Sequence, residues 1–145
     1  MGAPNLADAA IGRGLRYAAR ARGGTEMPTV LLVDDSPVAR RVLSQRLRAE
    51  GFDVREESTA AGARAVPTVS IGCAVVDLEL PDGDGCDLAD AMLRQRPTLP
   101  LAFYTAGASP ALVERARAHG PVFKKPDLEA LLTWVKRACQ PPPTK

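Results

Sequence analysis

Asp77 stands at the end of the apolar run Cys73-Ala74-Val75-Val76 and just ahead of Leu78-Glu79-Leu80-Pro81-Asp82-Gly83-Asp84-Gly85. A carboxylate at the tip of a buried strand, followed by a Pro/Gly turn, is poorly placed for packing and well placed for chemistry. A second apolar run, Thr29-Val30-Leu31-Leu32-Val33, ends in Asp34-Asp35. Two more end in Tyr104-Thr105-Ala106 and in Phe123-Lys124-Lys125-Pro126. Carboxylates gathered within a few ångströms repel one another unless a cation joins them. Mg²⁺ is the natural partner, being hard, oxygen-seeking and held by one or two carboxylates with waters and phosphate oxygens. Taken alone, Asp34-Asp35 reads better as a cluster favouring the N-terminus of the following helix. Asp77 and Lys125 tip the balance toward a cation site.

The elements that must bring these residues together alternate along the chain. Thr29 to Val33 is continuously apolar and β-branched, as a central parallel strand covered on both faces should be. Ser36-Pro37 starts a helix, with Val38, Val42, Leu43 and Leu47 at helical spacing and Gly51 as its stop. Phe52 to Arg55 alternates like an edge strand, Ser58 to Val66 reads as a short Ala-rich helix, and Ile71 to Val76 is the third strand. Cys86 to Arg96 is the next helix, with Leu88, Ala89, Met92 and Leu93 as its stripe. Leu99 to Tyr104 is a fourth strand, Ser109-Pro110 caps a helix running to about His119, and Pro121 to Phe123 is a fifth, edge strand. Asp127 caps a last helix bearing Leu128, Leu131, Leu132 and Val135. Five strands alternating with five helices predict an α/β fold with a parallel sheet and right-handed crossovers. In the flavodoxin-like order 2-1-3-4-5, a doubly wound (βα)5 fold, the first and third strands are neighbours, so Asp34, Asp35 and Asp77 share one crevice.

Length and charge narrow the class. The 145 residues suit one domain with a full core. No apolar run approaches the ~20 residues of a membrane span, and the first 26 lack the apolar core of a secretion signal. Residues 1–26 carry Arg13, Arg16, Arg20 and Arg22 against Asp8 and Glu26, while the rest carries 15 basic and 15 acidic residues. A nucleic-acid surface is therefore not expected. Cys73, Cys86 and Cys139, with no C-x-x-C, read as reduced thiols of a cytoplasmic protein. Residues 1–26 are expected to be an extension, with three readings open: a disordered segment, a start site placed too early, or a basic docking helix. Residues 27–139 form the domain, and 140–145 a Pro-rich tail.

The ordered set of strand-end motifs resembles the receiver domains of two-component response regulators, the CheY-like family, over roughly Thr29 to Cys139. It comprises Asp-Asp after the first strand, Asp-x-x-x-Pro-x-x-x-Gly after the third, Thr-Ala after the fourth and Lys-Pro after the fifth. The resemblance implies a stand-alone phosphorylation switch rather than a turnover enzyme. Asp77 would be the phosphoacceptor, forming an aspartyl phosphate. Asp35, Asp77 and the backbone carbonyl of Glu79 would bind Mg²⁺ directly and Asp34 mainly through water. Lys125, rather than Lys124, would neutralise a phosphoryl oxygen, and Thr105 would donate its hydroxyl to the phosphoryl group. Pro126 could lock the turn beside Lys125, with a cis bond among the options. A histidine kinase or phosphotransfer protein would supply the phosphoryl group. A downstream protein would bind through the fourth helix, fifth strand and fifth helix.

One family feature departs: Val122 stands where an aromatic residue usually rotates inward with the Thr, so the switch is expected to rely on movement of the Thr105-Ala106-Gly107 loop. Two other functions stay open, an interaction module without phosphorylation control and a phosphate sink for a hybrid kinase. Gly83-x-Gly85 lacks the third Gly of a dinucleotide fingerprint. Asp82, Asp84 and Asp87 lack a calcium loop's closing Glu, Leu93 occupying that position. His119 is expected at a helix end, against the dipole, without an acid partner.

Overall fold

The computed structural model describes residues 28–139. The readings made on residues 1–26 and 140–145 fall outside them. Among the described residues seven strands and five helices follow one another: β1 (Thr29–Val33), α1 (Pro37–Ala49), β2 (Asp53–Glu57), α2 (Ala60–Arg64), β3 (Cys73–Val76), β4 (Glu79–Leu80), β5 (Gly83–Asp84), α3 (Gly85–Gln95), β6 (Leu101–Thr105), α4 (Pro110–Arg117), β7 (Val122–Lys124) and α5 (Leu128–Ala138). A single 3-10 turn, Thr68–Ser70, precedes β3. The main sheet is all parallel, in the order β2-β1-β3-β6-β7. Its strands are the five expected from the sequence, in the doubly wound flavodoxin-like arrangement.

Alternation along the strands explains how the sheet is covered on both faces. Leu31, Val33, Ala74, Val76, Leu101 and Phe103 point to the side of α2, α3 and α4. Val30, Leu32, Cys73, Val75, Ala102 and Tyr104 point to the side of α1 and α5, where Leu43, Leu47, Leu131, Leu132 and Val135 close the second layer. Side-chain caps set the helix starts. Ser36, Thr59, Asp84, Ser109 and Asp127 each accept a hydrogen bond from a backbone N–H in the first turn. Gly51 takes a φ of 98° as α1 gives way to β2, a conformation that favours glycine.

Three details differ from the sequence reading. Val38 and Val42 do not face the core: they are 74% and 47% exposed. Leu43 and Leu47 set the buried face, and Ser44 shares it because its hydroxyl donates to Glu56 at 2.9 Å. At about 3.6 residues per turn the two valines centre about 140° around the helix from the Leu43 and Leu47 stripe. The turn after β3 contains the short antiparallel ladder β4–β5, with Glu79 opposite Asp84 and Leu80 opposite Gly83. His119 does have an acid partner. Its Nε2 lies 2.8 Å from Asp90 on α3, while Nδ1 sits 3.3 Å from the Arg115 carbonyl. Asp90 is far away in sequence, and only the packing of α3 against α4 brings the two together.

Candidate functional site

The C-terminal ends of β1, β3, β6 and β7 converge on one crevice. Asp77 is placed by its amide, which donates to the Val33 carbonyl at 2.9 Å, continuing the β1–β3 ladder one step past the strands. Asp34 is held likewise through its amide to the Glu57 carbonyl at 3.0 Å. Its carboxylate accepts at 2.9 Å from the amide of Ser36, the residue that caps α1, so Asp34 braces the start of that helix as well as joining the cluster. Asp34, Asp35 and Asp77 offer carboxylate oxygens within 4.8 Å of one another. Asp34 and Asp77 are buried and Asp35 is exposed, which leaves one open side.

Lys125 closes the crevice from β7. Its ammonium lies 2.8 Å from Asp34 Oδ2 and 3.1 Å from Asp77 Oδ2, and its amide donates to the Thr105 carbonyl at 2.8 Å. Lys124 is solvent-exposed, and the Lys125–Pro126 peptide is cis, the option raised from the sequence. Burial lowers the Lys125 pKa, but the hydrogen bond to Asp34 and the charges of Asp77 and Asp34 outweigh it and leave it above the usual lysine value. Burial raises the Asp34 carboxyl above the usual aspartate value, against the opposing hydrogen bonds from Lys125 and Ser36.

Thr105 ends β6 almost wholly buried, and its hydroxyl has no hydrogen-bond partner among the described residues. An orphaned buried hydroxyl is costly, and at an open crevice it is a donor waiting for an acceptor. Gly85 lies across the site floor. A Cβ there would collide with the Asp77 carbonyl, so the last Gly of Asp-x-x-x-Pro-x-x-x-Gly lets α3 start against the Asp77 backbone. Glu79 begins β4, its amide 3.2 Å from Asp77 Oδ1. The donor set is all oxygen, chiefly carboxylate, and it suits a hard divalent cation such as Mg²⁺.

Three contributors were given no role in the site by the sequence reading. Arg40 on α1 donates to the Asp34 carbonyl at 2.7 Å and to Glu56 at 3.3 Å, tying α1 and β2 to the site. Asp82 caps α2 from the β4–β5 turn, accepting from the Ala60 and Ala61 amides at 2.8 and 3.0 Å. Tyr104 lies beneath Lys125, its ring centroid 5.8 Å from Nζ. A strand-end aromatic next to a candidate Thr was the available signal for Tyr104. Nothing local flags the other two, whose partners are distant in sequence.

Four strand ends that join an acidic cluster to a lysine define a site of the receiver class. The family model for the response regulator receiver domain matches residues 30–136, and the chain belongs to that family. The photosynthetic apparatus regulatory protein RegA of Rhodovulum sulfidophilum is 30% identical over 125 residues, covering 81% of this chain and 68% of RegA. Other curated relatives are much longer than the match, which spans 10–34% of their lengths. Among solved structures, the non-phosphorylated HemR receiver domain from Leptospira biflexa superposes with a TM-score of 0.70 at 28% identity, over 81% of this chain and 98% of that one. The beryllofluoride-activated NtrC4 receiver domain dimer gives 0.69 at 27% identity, over 76% and 94%. Membership implies two-component signalling, in which receiver domains interact with histidine kinases and downstream effectors.

Proposed function

We propose that the chain is a phosphorylation-controlled switch in which Asp77 accepts a phosphoryl group. The observation that carries this reading is the convergence of Asp34, Asp35 and Asp77 with the Lys125 ammonium lodged between two of them. Asp34, Asp35, Asp77 and the Glu79 carbonyl would hold Mg²⁺, which when bound supplies positive charge to the phosphoryl oxygens. Asp77 attacks phosphorus, and the bond from phosphorus to the donor's leaving group breaks as the new P–O bond forms. Lys125 neutralises another oxygen, and the Thr105 hydroxyl finds in the phosphoryl group the acceptor it lacks. Positioning and charge neutralisation carry this chemistry, because the transition state is loose. The donor is a histidine kinase or a histidine phosphotransfer protein, met in the cytoplasm. The domain's part is to promote its own phosphorylation rather than to turn over a substrate.

The signal leaves through α4, β7 and α5 to a protein target, neither a nucleic acid nor a membrane. Supporting this route, a groove of about 440 Å³ runs between the β6–α4 loop, α4 and β7. Thr105, Ala106, Val113, Val122 and Lys124 are among the residues that line it. Movement of Thr105 toward the phosphoryl group would reshape this groove. Val122 is small and half-buried there, so the loop carries the change without an aromatic rotor.

The test is an amide NMR titration with Mg²⁺ and beryllofluoride, an aspartyl-phosphate mimic. The reading expects shifts at Asp77, Thr105 to Ala108 and Lys125, spreading to α4, and none in Asp77→Ala. Shifts confined to exposed acids, or unchanged in Asp77→Ala, would sink it.

A further inference from the structure

Lys125 is gripped from three directions. Its amide donates to the Thr105 carbonyl, its ammonium reaches Asp34 and Asp77, and the Tyr104 ring lies beneath that ammonium with its centroid 5.8 Å away. The two carboxylates are the same groups assigned to the divalent cation. Once a cation draws on their lone pairs, their hold on Lys125 is divided, and the two positive charges repel. An aromatic face behaves differently. It attracts an ammonium through its quadrupole, carries no net charge and offers no lone pair for which a metal competes.

The ring is also fixed. Tyr104 is 7% exposed, pairs with Phe123 of β7, and sits in the core layer with Leu131 and Leu132 of α5. From this we infer that Tyr104 is a positioning residue: its ring keeps the Lys125 ammonium at the mouth of the site while the divalent cation occupies Asp34 and Asp77. A second positive charge is then in place to meet the incoming phosphoryl oxygens. The inference rests on the phosphoacceptor reading of Asp77, and it deepens that reading by naming what holds the lysine when its acidic partners are engaged.

The test uses the full chain as wild type, Tyr104→Phe and Tyr104→Leu, each checked for folding by circular dichroism. The first arm follows Lys125 side-chain methylene signals by NMR with Mg²⁺ present and no phosphodonor. Upfield ring-current shifts in wild type and Tyr104→Phe, absent in Tyr104→Leu, are expected. Their absence in the wild type with Mg²⁺ would overturn the inference whatever the fate of Asp77. The second arm measures phosphoryl uptake from acetyl phosphate at saturating Mg²⁺ by intact mass. Tyr104→Phe should match wild type, and Tyr104→Leu should be slower by about two- to five-fold with its Mg²⁺ dependence unchanged. Equal rates in all three, or a Phe variant as slow as Leu, would overturn the positioning role. No uptake by the wild type would instead remove the phosphoacceptor reading and leave the first arm to decide the contact.

Discussion

Replacing Lys125 with Met removes the cation from between two carboxylates. In the folded chain the Lys125 side chain is 17% exposed, that of Asp34 3% and that of Asp77 9%. Breaking a buried ion pair costs roughly 3–5 kcal/mol, because a buried charge is left uncompensated. The crevice opens toward exposed Asp35, so the cost falls at or below the lower end of that range, about 2–3 kcal/mol. With a urea dependence of about 1.5–2 kcal/mol per molar, the midpoint of unfolding should fall by about 1–2 M. Mg²⁺ should then act in the opposite sense. Lys125→Met no longer sets an ammonium against the ion, so the cation should stabilise the variant more than the wild type. Each tenfold gain in affinity adds about 1.4 kcal/mol once the ion is in excess. Urea unfolding followed by Trp134 fluorescence, with and without millimolar Mg²⁺, reads both effects. A variant as stable as wild type, or one that Mg²⁺ stabilises less than wild type, would refute the reasoning.

Thr105→Val removes a buried hydroxyl that has no partner among the described residues and keeps the side-chain shape. The unphosphorylated protein should be unchanged or up to about 1 kcal/mol more stable by urea unfolding, while beryllofluoride shifts at Ala106 to Ala108 disappear. Gly85→Ala drives a Cβ into the Asp77 carbonyl, so thermal unfolding should show a loss of about 1–3 kcal/mol and amide NMR a displaced Asp77. For Asp82, the Ala60 and Ala61 amides hold the carboxyl below the usual aspartate value. Its stabilisation is therefore present above about pH 4 and lost as pH falls through the depressed folded value. Stability measured against pH should lose part of its acid limb in Asp82→Ala; an unchanged limb would show that the α2 cap is idle.

Much of this was legible because it is local. The apolar run Val30 to Val33 and the all-buried Cys73 to Val76 announce central parallel strands. Their common ending in acids places Asp34, Asp35 and Asp77 together once the strand order is known. Lys125 was favoured over Lys124 only through the Lys-Pro pairing; the fold sets Lys125 half-buried beside Asp34 and Asp77 and leaves Lys124 exposed. What escaped was non-local or too short. Val38–Val42 and Leu43–Leu47 each repeat at a helical interval of four, and periodicity alone does not choose between two stripes when both are apolar. Ser44, the polar residue that joins the buried face, does so through Glu56 on another element. The β4–β5 ladder has two residues per strand, below any periodic signal. Asp90 meets His119, and Tyr104 meets Lys125, through tertiary packing that no spacing in the chain encodes.

The central claim is that Asp77 takes up a phosphoryl group. Intact-mass spectrometry after incubation with acetyl phosphate and Mg²⁺, followed by peptide mapping, tests it most directly. The account predicts one phosphoryl adduct, located on Asp77, lost when Mg²⁺ is removed and absent from Asp77→Ala. A folded wild-type protein that stays unmodified by both acetyl phosphate and a panel of autophosphorylated histidine kinases, or that carries the adduct elsewhere, would contradict it.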